Sequence, residues 1–335
     1  MKRILIRGTI VVFSAMALWR LGCVHAVVVG NDYETAIQVG ARAKVVFRVV
    51  DDGGNPVRDA RVDVGFWLPW NDRNGADGVT DSAGMFTVRG VSVGEMVWTV
   101  EKYGYYSSRA TYHFFEAFPH KEDCVRFGRW QPYGAVREVV LRRKKNPIPM
   151  RVTSENEMMV LPGANNLFPF DVVECDWLPP YGNGKIEDVS IAHYFSTGES
   201  QSRLEIVFRF PHTGYYAVKK NSSEFQSPYY ADSRFGYSTN LVLFQKYAPT
   251  IEQRYDTCDT CFILRLRTVL DCEGKIVSCI YGKIYGPIEF GPIDNRGGFF
   301  RYWQYLNMIP NDTNLEFDVK SNLRKYRDFP GPVRP

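Results

Sequence analysis

V-V-F-R-V-V-D-D-G-G-N-P-V-R-D-A-R-V-D-V-G-F-W occupies residues 45–67, and G-V-T-D-S-A-G-M-F-T-V-R-G-V-S-V-G-E-M-V-W-T-V-E-K-Y-G-Y occupies residues 78–105. Val45, Phe47 and Val49 alternate with Val46, Arg48 and Val50, so one face is apolar and the other mixed. Period two in β-branched residues predicts a strand. Asp51-Asp52-Gly53-Gly54-Asn55-Pro56 is a turn, because Gly supplies backbone angles that other residues avoid and Pro holds φ near −65°. Val57, Ala60, Val62 and Val64 resume the apolar pattern. Thr80-Asp81-Ser82-Ala83-Gly84 forms a second turn that feeds Met85–Val88, and Val93–Val100 gives another strand. Val139–Leu141 closes the series before the basic run Arg142-Arg143-Lys144-Lys145. Short strands at this spacing predict an antiparallel sandwich.

The pattern G-N-P-V-x-x-A-x-V (Gly54–Val62), followed by T-D-x-x-G-x-F (Thr80–Phe86) and a closing Gly104-Tyr105, resembles the carboxypeptidase regulatory-like, or transthyretin-like, domain. The resemblance covers residues 42–143. It implies a small Ig-like β-sandwich of the kind attached to exported proteins, and its motif residues are structural, with no catalytic role to transfer. Leu68-Pro69-Trp70-Asn71-Asp72-Arg73-Asn74 lengthens one loop beyond the family pattern, and Ala110–Gly134 is also longer and more aromatic.

Residues 1–26 read as a signal peptide. Lys2, Arg3 and Arg7 precede an apolar segment, Thr9–Trp19, too short to span a bilayer, and Val24-His25-Ala26 fits a cleavage site. Cys23 offers lipid attachment as a rival reading. Four of the 41 basic residues lie in this segment and none of the 37 acidic ones does, so the remainder is balanced in charge. A nucleic-acid partner needs a basic surplus on one face, and none is expected. Nor is a transmembrane helix, since no later stretch is long and apolar enough. The location expected is periplasm, cell surface or secreted.

Length points to two domains, and the absence of long helical periodicity makes both all-β. After a lead-in (residues 27–41) and the sandwich at 42–143 come a linker with Pro147 and Pro149 (144–150), a second antiparallel β-sandwich (151–326) and a Pro-rich mobile tail (327–335). In the second part, Phe262–Leu270 and Ile276–Tyr285 predict a hairpin in which Arg265 and Arg267 alternate with Leu264, Leu266 and Thr268. Together with Asp176–Gly182, this hairpin is similar to a region found in uncharacterised exported bacterial proteins. No biochemical role comes with that similarity.

Without the leader six cysteines remain, and an even number in an exported chain permits disulfides. Cys258, Cys261, Cys272 and Cys279 are the structural disulfide candidates. Cys258-x-x-Cys261 leads into a strand rather than a helix N-terminus, against a redox dithiol, and Cys272 and Cys279 have the wrong spacing for zinc. His113-x-x-Glu116 would place its side chains on opposite faces of a strand. Asp171, Glu174 and Asp176 cluster, and a solvated face is expected there ahead of calcium or acid–base chemistry. No nucleophile elbow or phosphate-cradling loop is present, so no catalytic residue, metal or cofactor is assigned. Asn221-Ser222-Ser223 and Asn311-Asp312-Thr313 are sequons that matter only in a eukaryotic secretory pathway.

Loop aromatics remain. Trp67, Trp70, Trp177 and Tyr181 are the candidate ligand-binding residues, since Pro, Asn and Asp surround them and aromatic faces stack on sugars and anchor interfaces. The functional expectation is a non-catalytic binding or structural protein with a glycan or protein partner at the cell surface. The alternative is a hydrolase whose site lies in the second β domain.

Overall fold

The computed structural model describes residues 29–69, 74–153, 158–195, 201–246, 257–294, 297–323 and 335. Among these the chain is all-β, with four sheets and one α-helix, α1 (Tyr33–Val39). The first region holds β1 (Ala41–Asp51), β2 (Arg61–Phe66), β3 (Gly75–Val79), β4 (Met85–Ser92), β5 (Glu95–Glu101), β6 (Ser108–His113), β7 (Val125–Arg126), β8 (Arg129–Trp130) and β9 (Ala135–Leu141). Strand β1 pairs antiparallel with β4, and its other edge pairs in parallel with β8 and β9. The second sheet runs β3-β2-β5-β6. The alternation of β1 turns Val45, Phe47 and Val49 inward, where they meet Val62, Val64 and Trp98 of the facing sheet in one core. The Phe47 and Trp98 rings pack edge to face at 5.8 Å.

Both turns of the opening stretch use the same device. Asp51 Oδ1 accepts the N–H groups of Gly53 and Asn55, each at 2.9 Å. Asp81 Oδ1 accepts those of Ala83 and Met85 at 2.9 and 2.8 Å. The turns are then tied together, with Val49 N–H donating to Gly84 O at 2.8 Å. Gly84 has φ +73°, and a Cβ there would lie 2.4 Å from Val49 O. Glycine at this position thus answers both a left-handed backbone and a close approach.

The second region holds β10 (Ile148–Thr153), β11 (Met159–Val160), β12 (Phe168–Asp171), β13 (Asp176–Trp177), β14 (Val189–Phe195), β15 (Gln201–Phe208), β16 (Gly214–Lys219), β17 (Asn240–Lys246), β18 (Thr260–Leu270), β19 (Ile276–Asp294), β20 (Gly297–Asn307) and β21 (Phe317–Asn322). A seven-stranded sheet, β16-β18-β19-β20-β10-β21 with β11 beside β20, faces a five-stranded sheet, β13-β12-β14-β15-β17. Phe170, Ile191, Leu204, Leu264 and Phe300 fill the space between them. The opposite face of the larger sheet is covered too, by Ala231, Tyr237 and Leu315 from loops, over Met150, Ile263 and Tyr305. Burial on both faces explains the unbroken buried run Cys261–Leu266, since such strands lose the polar half of their alternation. Arg265 therefore does not face solvent. Its guanidinium lies under a loop, donates to His212 O and Ser233 O, and stacks on Tyr237 at 3.9 Å. Pro149 lies within β10 at a register shift between Ile148 and Met150, where its missing N–H breaks no ladder bond.

The expected disulfides are not formed. No disulfide joins any of Cys124, Cys175, Cys258, Cys261, Cys272 and Cys279. Within each close pair one side chain faces solvent and the other the core: Cys258 and Cys272 are exposed, Cys261 and Cys279 buried. Between the pairs the reason is strand length. Cys258 and Cys261 sit at one end of β18 and Cys272 lies beyond the other, roughly 30 Å away at strand rise, whereas a bridge needs Cα atoms within about 7 Å. Cys261 and Cys279 are buried in the second region's outer core, and burial pushes the Cys261 thiol up to about 12. Thermal unfolding with and without dithiothreitol should give midpoints within about 1 °C, where loss of a bridge costs about 2–5 kcal/mol. A reductant-dependent drop of several degrees would contradict the free-thiol assignment.

Candidate functional site

The two regions meet where the β5–β6 turn, the end of β9 and residues 222–229 come together. In the turn Tyr105 N–H donates to Lys102 O at 3.0 Å and Gly104 has φ +80°. This tight reversal leaves Tyr103 100% exposed. Three residues on, Tyr106 is buried and donates its hydroxyl to Glu316 Oε1 at 2.9 Å. Glu316 also accepts the N–H groups of Lys145 and Asn146, at 2.8 and 2.6 Å. Burial, then the Glu316 charge, pushes the Tyr106 phenol up, so it stays a donor. Glu316 thereby ties the first region, the inter-region segment and β21.

Residues 222–229 complete the junction. Glu224 N–H donates to Ser107 O at 2.9 Å and Ser108 Oγ to Ser222 O at 2.8 Å. Arg142 donates to the carbonyls of Phe225 and Ser227. Its guanidinium lies 4.5 Å from the Phe225 ring centre and 4.2 Å from that of Tyr229, while Lys145 Nζ lies 3.7 Å from the latter. Tyr229 donates its hydroxyl to Arg143 O at 2.6 Å. The basic run Arg142–Lys145 is thus built into the junction. Arg143 lies 5.1 Å from the Tyr105 ring centre and Lys144 Nζ 5.3 Å from that of Tyr106, so all four cations cap aromatic rings, contacts worth about 0.5–2 kcal/mol each.

A cleft of about 730 Å³ opens here, lined by Arg109, Lys144, Glu224, Asp318 and Lys320 among others. A second hollow of about 620 Å³ continues it past Tyr103, Arg61 and Glu101. Lys144 and Glu224 line both. The two adjoining hollows form a groove lined by cations and carboxylates in similar number, with the exposed phenol ring of Tyr103 in the lining of the second. Behind its floor lies Lys283, fully buried, with its amine 2.6 Å from Tyr285 Oη and 4.6 Å from the Phe225 ring centre.

The sequence-derived residues fall elsewhere. Trp67 is 56% exposed. Its N–H donates to Glu95 O at 3.0 Å, so it stands at the far end of β5 from the groove, roughly 20 Å off at strand rise. Trp70 lies outside the described residues. Trp177 is a correction: it is 7% exposed, pairs with Phe170 across β12–β13, and donates Nε1–H to Val160 O at 2.8 Å. The polar residues around it form the turn, and the hairpin rolls the indole into the core. Tyr181 is 52% exposed, with its edge on Phe168 at 5.3 Å; neither it nor Trp67 lines the groove. Asp171 faces Arg267 and backbone N–H groups. Asp176 accepts from Trp177 and Asn183 N–H. His113 Nδ1 lies 3.9 Å from the Glu95 carboxylate and its ring packs on Phe115. Among the described residues no group of three or more His, Cys, Asp or Glu is placed to hold a metal ion. No described helix is long and apolar enough to cross a membrane. Sequence reading missed Tyr103 and Lys144 as site residues, although the Gly104 turn and the basic run were the signals beside them.

No protein-family profile matches this chain, and no curated protein matches it. Among solved structures it is similar to 3-chlorocatechol 1,2-dioxygenase from Rhodococcus opacus 1CP, at 16% identity over 32% of this chain and 62% of that one, with TM-score 0.25. For hydroxyquinol 1,2-dioxygenase from Pseudomonas putida DLL-E4 the values are 13% identity, 31% and 57% coverage, and TM-score 0.23. The matched region spans less than two thirds of either dioxygenase. A DUF3823 family protein from Parabacteroides merdae matches at 9% identity over 79% of this chain and 98% of that one, with TM-score 0.21. Scores this low carry neither family nor activity to this chain.

Proposed function

We propose that the protein is an exported, non-catalytic glycan-binding protein, with a carboxypeptidase regulatory-like sandwich as its first region and its site in the groove at the junction. The observation that carries this reading is the groove's lining: two adjoining hollows share Lys144 and Glu224, and the exposed ring of Tyr103 lines one of them. Two adjoining hollows fit a polymer better than a small molecule. Sugar hydroxyls both donate and accept hydrogen bonds, so a lining of cations and carboxylates serves them, and a phenol face stacks on a pyranose ring. The rigid junction beneath preorganises the walls, which spares ordering entropy on binding.

Binding to a panel of soluble polysaccharides tests this. Tyr103→Ala and Lys144→Ala should each weaken retention about 10-fold or more, the loss of roughly one hot-spot contact, while Trp67→Ala leaves it unchanged. A panel with no retained polysaccharide, or retention indifferent to both groove variants, would sink the reading. The hydrolase alternative would draw on Glu224 and Asp318, which share the cleft. The Ser321 hydroxyl and the Lys320 N–H hold the Asp318 carboxyl below the usual range, so it suits an ionised role rather than proton donation. Release of reducing ends that is lost in Glu224→Gln would favour that alternative.

A further inference from the structure

Strand β17 ends the five-stranded sheet. It pairs with β15 in an unbroken register from Gln201↔Lys246 to Val207↔Asn240, and among the described residues no strand lies on its outer side. An open edge offers a row of unpaired N–H and C=O groups, and edges are usually blunted by charge, proline, bulges or cover. Other edges of this molecule are blunted. Strand β21 carries Asp318 and Lys320, β3 is short and contains two glycines, and β16 is bonded on its open side by Ser238 in both directions at Tyr215. Strand β17 has none of these from Asn240 to Gln245, which reads N-L-V-L-F-Q. Leu241 and Leu243 turn toward the core, while Val242 and Phe244 stand exposed on the outer face.

We propose that β17 is a pairing edge and that its occupant is β17 of a second copy of this chain. The sequence of the edge is self-complementary in the antiparallel sense. A two-fold axis at Leu243 sets Val242 opposite Phe244 of the other copy, twice by symmetry, and Asn240 opposite Lys246. An aromatic ring against a β-branched side chain is a favourable cross-strand pair. No like charges meet, because Lys246, the one charged residue of the strand, falls opposite Asn240. The contact is isologous and closes as a dimer, and one sheet runs through both copies. Its extent is that of one seven-residue strand, below the area of stable interfaces, so the dimer is weak and depends on concentration.

Sedimentation equilibrium of the full mature chain between about 1 and 500 µM tests the proposal. The expected result is a monomer–dimer equilibrium with a dissociation constant in the micromolar range. Val242→Lys and Phe244→Lys, both on exposed positions, should each weaken it about 10-fold or more with the thermal midpoint unchanged. Mixing Val242→Cys with Phe244→Cys should give an oxidised heterodimer in higher yield than either variant alone, which reads the register directly. A monomer across the whole range, a dimer indifferent to both lysine variants, or an edge that captures a foreign extended peptide while the chain stays monomeric would each overturn it.

Discussion

Replacing Arg267 by Met is expected to destabilise the protein by about 3–5 kcal/mol at neutral pH, the usual effect of leaving a buried carboxylate without its partner. Arg267 sits at a bulge of β18, with φ +50° and a register shift between Leu266 and Val269. Bulges re-aim a side chain, and this one turns the guanidinium onto two buried carboxylates. Nη2 lies 2.7 Å from Asp171 Oδ1, and Nε lies 2.9 Å from Asp188 Oδ1. Asp171 also accepts four backbone N–H groups, from Val173, Glu174, Lys185 and Ile186, at 2.9–3.1 Å. For Asp171 burial opposes ionisation, but these bonds and Arg267 hold the carboxyl below its usual range. For Asp188 burial wins and pushes the carboxyl up, against Arg267 and with the Asp171 charge. The pair therefore behaves as one anion well bound and one tolerated only because the cation is there.

The pH dependence follows. A lowered carboxyl contributes stability that is present above its unfolded value and lost as pH falls through the folded one. A raised carboxyl does the opposite and weighs against folding once ionised. In Arg267→Met both carboxyls move up, so the deficit against wild type is largest near neutral pH. It shrinks as pH falls toward the ordinary carboxyl range and the pair takes up a proton. Urea unfolding at pH 7 and pH 4.5 measures this, and Asp188→Asn in the Arg267→Met background should restore part of the loss. A deficit under about 1 kcal/mol, or one that does not change with pH, contradicts the assignment.

The second large effect has the opposite sign. Lys283→Met should stabilise the protein at neutral pH. Lys283 is fully buried, and burial brings its amine from 10.5 down to about 7, with Cys261 and Glu316 opposing and Arg142 assisting. Its surroundings are Tyr285 Oη and the rings of Phe225, Tyr285 and Tyr305 at 4.6–4.8 Å. The unfolded chain keeps the proton to near 10.5 and the folded protein releases it near 7. Between those values the unfolded state binds more protons, so stability rises with pH across that window and is lowest at and below neutral. At about 1.4 kcal/mol per unit the span is on the order of 4 kcal/mol. Met fills a similar volume without a charge, and Tyr285 Oη still meets Gln226 N–H and Pro335 O. Calorimetry should show a midpoint about 5 °C or more higher for the variant at pH 7. The difference should close by pH 10. Parallel midpoints for the two proteins from pH 6 to 10 would show that Lys283 does not titrate on unfolding.

Residues whose role is local were legible in the sequence. Asp51 and Asp81 announce their turns because an Asp side chain bonds the backbone two and four residues on, and Gly84 marks the second of them. Val45, Phe47 and Val49 alternate because the first region's sheets have one buried face. The second region defeats the same rule. Its larger sheet is buried on both sides, so Arg265 turns inward to loop carbonyls and Arg267 is turned by a bulge to two carboxylates. Trp177 lies among polar residues in sequence yet inside the core in space. Of the four cysteines of residues 258–279, Cys258 and Cys261 are separated from Cys272 by a full strand, and within each close pair one is exposed and the other buried.

By itself, then, the sequence determined that the chain is all-β, which residues of its first strands face inward, and which residues make its tight turns. These depend on period-two burial and on backbone preferences, which act over a few residues. The tertiary structure alone decided the groove. Tyr103, Arg109, Lys144, Glu224 and Lys320 come from separate strands and loops of both regions. They converge because Glu316 gathers Tyr106, Lys145 and Asn146, and because Arg142 packs on Phe225 and Tyr229. Contacts across that much sequence form only when buried donors and acceptors must find partners away from water, and no local pattern records which partners those are.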